Sequence, residues 1–124
     1  MAERQQRREL GQSAEQAAVD HLVAHGYQIE ARNFACKYGE LDIVAQRDGI
    51  LCFVEVRMRS RAVWGDPSQT ITFSKQRRVV KAALHYLVAH RITGRALRFD
   101  VIAMIGQGPG AAVEHLENAF DAGM

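Results

Sequence analysis

The sequence predicts an α/β fold of the α+β kind: a mixed central sheet of four to five strands flanked by helices, in the order α-β-β-β-α-β(-β). Three observations predict it. A helical spacing of small and apolar residues opens the chain, three β-type runs follow with an Asp48-Gly49 pair between the last two, and a second helical stripe precedes a β-branched run. Strands interrupted by one helix suit a mixed sheet covered by helices. At 124 residues the chain has the size of a single domain, 1–124, with one core and one site.

From about Arg4 to His25, Leu10, Ala14, Ala17, Ala18 and Leu22 recur at helical spacing, and Gly26 supplies a stop. Tyr27 to Phe34, Gly39 to Ala45 and Ile50 to Met58 read as strands, the last two joined by the Asp48-Gly49 hairpin signal. The stretch "SRAVWGDPSQTITF" keeps no period and holds a Gly-Asp-Pro cluster, so it is a loop. From Ser74, an N-cap residue, to Arg91, the residues Val80, Ala83, Leu84 and Leu87 form an apolar stripe, ended by Thr93-Gly94. Ala96 to Ile105 is a buried strand. "GQGPG" is a turn, and Ala111 to Phe120 is an edge strand or a frayed segment.

Composition narrows the function classes. Apolar residues at 48% and charged ones at 24% are those of a soluble globular protein, and the apolar runs fall short of the ~20 residues that span a bilayer. "MAERQQRREL" lacks the apolar segment of a signal peptide, so a cytoplasmic location is expected. Cys36 and Cys52 have no CxxC partner and read as small buried or half-buried side chains. His21 and His25 stand four apart without an HExxH pattern or an evident third ligand, which argues against zinc.

The net charge is only +2, but it is unevenly spread: residues 1–56 carry −3, residues 57–98 carry +9 and residues 99–124 carry −4. A concentrated basic segment in a nearly neutral protein points to a polyanionic partner, with a solvated basic helix face as the competing explanation.

Asp42 and Glu55 lie inside apolar strands, where carboxylates are usually excluded. If Asp48 and Gly49 form a two-residue type I′ loop, Arg47 pairs with Ile50. That register sets Asp42 opposite Glu55 with Cβ atoms roughly 4.5 to 5.5 Å apart, and Glu40 opposite Arg57. Two opposed carboxylates repel unless a cation sits between them, and Mg²⁺ is commonly held by one or two carboxylates with waters and phosphates completing its shell. The alternative is a hydrated sheet edge. Glu15 borders the buried face of the first helix, where an acid needs a partner. Gln76 leads the stripe of the second helix, near its positive end, where it could meet phosphate, water or a helix-terminal hydrogen bond.

Taken together, "GELD", "FVEVRMR", "SKQRR" and "RFDVIA" resemble the YraN-like family of small bacterial proteins, whose fold is similar to PD-(D/E)xK nucleases and archaeal Holliday junction resolvases. The resemblance implies a restriction-endonuclease-like fold. It matches Asp42 to the motif aspartate, Glu55 to the second acid, Arg57 to the motif lysine, Glu15 to the helix-one glutamate and Gln76 to the helix-two polar residue. The Val56 backbone carbonyl falls at the position of a further metal ligand. Arg57 departs from the motif: an arginine stays charged at any working pH and cannot serve as the base, though it can hold a phosphate.

The expectation is therefore a metal-dependent endonuclease-like protein acting on DNA, branched DNA above all, by phosphodiester hydrolysis. Asp42, Glu55 and the Val56 carbonyl would hold Mg²⁺ or Mn²⁺, Glu15 would assist, and Arg57 and Gln76 would orient the phosphate. Arg59, Arg61, Lys75, Arg77, Arg78 and Lys81 would bind the DNA backbone. The resemblance also implies a homodimer. The alternatives are a non-catalytic nucleic-acid-binding module on the same fold and an interaction domain with a basic helix.

Overall fold

The computed structural model describes residues 2–59, 71–106 and 112–122, with residues 2–12 and 59 described at the level of the backbone. The elements run α1 (Ala2–Ala24), β1 (Gln28–Cys36), β2 (Gly39–Arg47), β3 (Ile50–Arg59), α2 (Phe73–Ala89), β4 (Ala96–Ile105) and β5 (Ala112–Phe120). The strands form one sheet in the order β1-β2-β3-β4-β5. Only β3 and β4 pair in parallel, and α2 lies in the crossover such a pair requires. The last segment, expected as an edge strand or a frayed end, is an edge strand on β4 whose register shifts between Phe99 and Val101.

Side-chain alternation feeds two cores. Leu51, Phe53 and Val101 meet Val79, Ala82, Ala83 and Tyr86 of α2 on one face. Ile43, Cys52, Val54 and Ile102 meet Ala14, Ala18, Val19 and Leu22 of α1 on the other. Each large side chain so buried stabilises the fold by about 1.5 to 3 kcal/mol. Cys52 is buried and Cys36 half-buried. Among the described residues no helix is long and apolar enough to cross a membrane.

The hairpin between β2 and β3 is as the sequence implies. Asp48 and Gly49 both have positive φ, 53° and 78°, as a type I′ turn demands. The ladder then runs from Arg47↔Ile50 to Ile43↔Val54.

Helix α2 differs from expectation in three ways. It begins at Phe73, inside the stretch read as loop, because Thr72 rather than Ser74 is the N-cap: its backbone is extended and its hydroxyl accepts from the Lys75 N–H at 3.1 Å. It ends at Ala89 rather than Arg91. Arg91 takes φ 55°, while the Ile92 N–H donates to the Leu87 carbonyl and the Arg91 N–H to the Val88 carbonyl, the Schellman pattern with arginine at the position glycine usually fills. Its apolar stripe is rotated as well. Val79, Ala82, Ala83 and Tyr86 are buried, whereas Leu84 stays 41% exposed. The ring of Tyr86 packs against Phe34 and Phe53, with centroids 5.1 and 6.0 Å away, and this aromatic contact sets the phase of the helix.

The rest of the expected loop, residues 60–70 and with it Arg61, lies outside the described residues, as does all of the "GQGPG" turn beyond Gly106.

Candidate metal and phosphate site at the parting of β2 and β3

The sheet opens where the two acids lie. The β2–β3 ladder stops at Ile43↔Val54, while β3 continues along β4 from Glu55↔Val101 to Arg59↔Ile105. The alternation of faces also breaks at Asp42: Leu41 joins the core under α2, and Ile43, two residues on, joins the core under α1. On the other side of β2, Asn33 of β1 has φ 54°, while the pairing keeps one register through Arg32↔Ile43 and Phe34↔Leu41.

Asp42 and Glu55 are therefore not opposed as a ladder pair, which corrects the expectation from register alone. Each carboxylate reaches across the gap to a backbone amide of the other strand. The Asp42 N–H donates to Glu55 Oε2 at 3.3 Å, and the Val56 N–H donates to Asp42 Oδ2 at 2.9 Å. The N–H and C=O of one strand residue project to the same side. With its N–H on Asp42, Val56 thus aims its carbonyl into the seam too. Glu40 does not face Arg57 in a ladder pair; it pairs with Ala35 of β1.

The seam is short of positive charge. Glu55 is only 2% exposed, and burial first, then the Asp42 charge, push its carboxyl up to about 8. Lys75 Nζ stands 3.8 Å from Glu55 Oε1, but its side chain is 35% exposed, so solvent screens it and it offsets only part of that rise. Burial also raises the Asp42 carboxyl, against the Val56 N–H and the charges of Lys75 and Arg57. Arg57 is half-buried, and its charge acts on both acids.

Glu15 reaches the same region from α1. Its carboxyl is raised by burial and then by the Asp42 charge, its Oε1 is buried without a hydrogen bond, and the nearest cation is Arg32 Nε at 3.6 Å. Gln76 Nε2 donates to the Ile71 carbonyl at 3.0 Å, tying the chain before α2 to the helix. Lys75 and Arg78 border a small cleft with Gly39 and Glu40, and Arg77 and Lys81 border a larger groove on the other flank of α2. Arg59 continues β3 beyond the seam.

The donor set fits a hard divalent cation. It is all oxygen, and burial raises the carboxyls of both Asp42 and Glu55, the second to about 8, which a nearby cation would oppose. Among the described residues no three His, Cys, Asp or Glu side chains converge as a metal group. Any ion here would rest on two carboxylates and backbone oxygen, with Glu15 acting at a distance.

Sequence reasoning missed a second polar cluster, on the α1 side of β4 and β5. Asp100, fully buried, accepts two hydrogen bonds from Arg98 at 2.9 Å each, one from the Asn118 N–H at 3.0 Å, and lies 2.8 Å from His115 Nε2. Arg98 also donates to the Tyr27 hydroxyl, and His115 Nδ1 lies 3.3 Å from His21 Nε2. Only the alternation along "RFD", which puts Arg98 and Asp100 on one face of β4, could have hinted at it.

Fold and site together define a class: a small α+β domain in which two antiparallel strands part around a pair of carboxylates beneath a basic helix. The chain belongs to UPF0102, described as an uncharacterised protein family, whose model matches residues 14–104. That span includes Glu15, Asp42, Glu55, Arg57 and Gln76. A UPF0102 protein of Myxococcus xanthus is 59% identical over 119 residues, covering 96% of this chain and 94% of that protein. Another, of Geobacter metallireducens, is 42% identical over 112 residues, covering 90% and 92%.

Proposed function

We propose that this protein is a metal-dependent endonuclease-like protein acting on DNA, branched DNA included, by phosphodiester hydrolysis, on a PD-(D/E)xK-type fold. The observation that carries the reading is the crossed pair of Asp42 and Glu55: a half-buried and a buried acid at the point where β2 and β3 part, the buried one with its carboxyl pushed up to about 8, beneath the basic first turns of α2.

Asp42, Glu55 and the Val56 carbonyl would hold Mg²⁺ or Mn²⁺, with Glu15 contributing through water. When bound, such an ion lowers the pKa of a coordinated water and polarises the scissile phosphate. Glu55 would hold such an ion as the carboxylate, its proton passing to solvent; Lys75, 3.8 Å from Glu55 Oε1, would stand in place to meet a phosphate, and Arg57 would hold the phosphate as a permanent cation. Gln76 fixes the start of α2, which keeps Lys75 over the seam. Arg77, Arg78 and Lys81, all exposed on α2, bind the backbone without reading sequence, and that binding weakens with salt. Arg59 and Arg61 extend the same basic segment in sequence. Two copies related by a two-fold axis would match the symmetry of a four-way junction.

A second reading is favoured by one residue. Arg57 cannot act as a general base, so the same surface can serve as a non-catalytic nucleic-acid-binding module. Incubation with duplex, single-stranded and four-way-junction DNA, in Mg²⁺, Mn²⁺ or chelator, separates the two. The nuclease reading expects metal-dependent cutting that falls below detection in Asp42→Asn. Cutting that survives this substitution overturns the site assignment, and binding without cutting at any metal leaves the module.

A further inference from the structure

We propose that the groove between α2 and the segment after β5 is a subsite for an unpaired nucleobase, stacked on Phe73 with its phosphate held by Arg77 and Lys81. This rests on the nucleic-acid reading above and deepens it, by making strands with unpaired nucleotides the preferred substrate class.

Phe73 is the first residue of α2 and is 71% exposed, an unusual position for a large aromatic ring. The Arg77 guanidinium carbon lies over the ring, 5.8 Å from its centroid, so a cation stands against one face of this aromatic residue. Phe73, Val80 and Leu84 make the α2 wall of the groove apolar, and Arg77 and Lys81 give that wall its charge. Asp121, after β5, borders the groove as well. The volume, about 420 Å³, is in the range of small-ligand sites.

An apolar face edged by cations matches the chemistry of a nucleotide, whose base is flat and apolar and whose phosphate is anionic. The surrounding segment, residues 57–98, carries +9, which disfavours a basic or purely apolar partner. In a continuous duplex each base face is covered by its neighbours, so Phe73 has nothing to stack on. An unpaired strand offers a bare face, and aromatic platforms beside a basic track are how proteins hold such strands. The first turn of α2 links the groove to the acid seam on the helix's other flank: Lys75, two residues beyond Phe73, reaches Glu55 at 3.8 Å, and Gln76 lines the groove. A nucleotide anchored at Phe73 would therefore deliver the adjoining strand toward Asp42 and Glu55.

The test uses the full chain in chelator, so that binding is read without cutting. Fluorescence anisotropy compares a labelled single strand with the duplex of the same sequence, and a 2-aminopurine base in the strand reports stacking by quenching. Phe73→Ala should weaken single-strand binding roughly 5- to 150-fold, the loss of one stacked base, abolish the quenching and leave duplex affinity unchanged. Phe73→Leu should behave like Phe73→Ala, and Phe73→Trp should restore both readouts. Equal loss on strand and duplex, or no loss on either, overturns the subsite while leaving the nucleic-acid reading standing. So does a Phe73→Ala protein that changes only its sedimentation, which would mark the groove as a contact between copies. A wild-type protein that binds neither strand nor duplex overturns both.

Discussion

Glu55→Gln is expected to leave the metal-free protein about as stable as wild type at pH 5 and more stable by about 4 kcal/mol at pH 9. Glu55 has its folded pKa raised to about 8 from an ordinary value of 4.5, chiefly because it is 2% exposed. Between those two values the folded chain keeps a proton that the unfolded chain has released. Its contribution is therefore fully present below the unfolded pKa and is lost as pH rises through the folded one, at about 1.4 kcal/mol per unit. Glutamine preserves the shape and the acceptor for the Asp42 N–H and has no charge to bury. Urea unfolding of both proteins across this range checks the point. Curves that run parallel with pH would mean that the Glu55 charge is already compensated in the fold, and the case for a missing cation would lapse.

The second large effect concerns the cluster that holds β4 to β5. Asp100→Asn is expected to destabilise the fold by about 3 to 5 kcal/mol, the usual loss when one partner of a buried ion pair is removed. Arg98 is left with its guanidinium, 14% exposed, facing a neutral amide, and Tyr27 and Glu117 cannot replace the two-pronged bond. Burial alone would raise the Asp100 carboxyl, but hydrogen bonds from His115, Arg98 and the Asn118 N–H outweigh it and hold it below the usual value. Its contribution is thus present above the ordinary aspartate pKa and is lost as pH falls through the lowered one. Chemical denaturation near pH 7 measures the loss. Adding Arg98→Met to Asp100→Asn should recover part of it, because the charge that had lost its partner is gone. If Asp100→Asn costs less than about 1 kcal/mol, the cluster is not what secures the edge of the sheet.

Local features of this fold were legible in the sequence because their causes are local. Asp48-Gly49 accepts positive φ at both positions, so the turn and the register of the β2–β3 ladder followed from two residues. The stripe of α1 was correct at Ala14, Ala18 and Leu22 because Gly26, at φ 86°, ends the helix and the strand follows directly. Features settled by distant partners were not legible. Leu84 and Val88 of α2 look as apolar in sequence as the residues it buries, and only the aromatic contacts of Tyr86 with Phe34 and Phe53 decide which face turns inward.

The acids followed the same division. Their proximity could be read from the hairpin, but the parting of β2 from β3 could not. It shows only where β4 continues to pair with β3 past the end of the β2–β3 ladder. The Asp100 cluster draws on α1 at His21, on β1's approach at Tyr27, on β4 and on β5, four parts of the chain that no spacing rule connects.

A divalent cation completing the seam of Asp42, Glu55 and the Val56 carbonyl is detectable by titration calorimetry. Mn²⁺ and Mg²⁺ are titrated into the protein at pH 7 in buffers of different ionisation enthalpy, so that heat reports both binding and proton release. Because the Glu55 carboxyl is pushed up to about 8, saturable binding that releases about one proton per ion is expected, with both signals lost in Glu55→Gln and Asp42→Asn. Binding that is indifferent to those substitutions, or no binding by the wild-type chain, would contradict it.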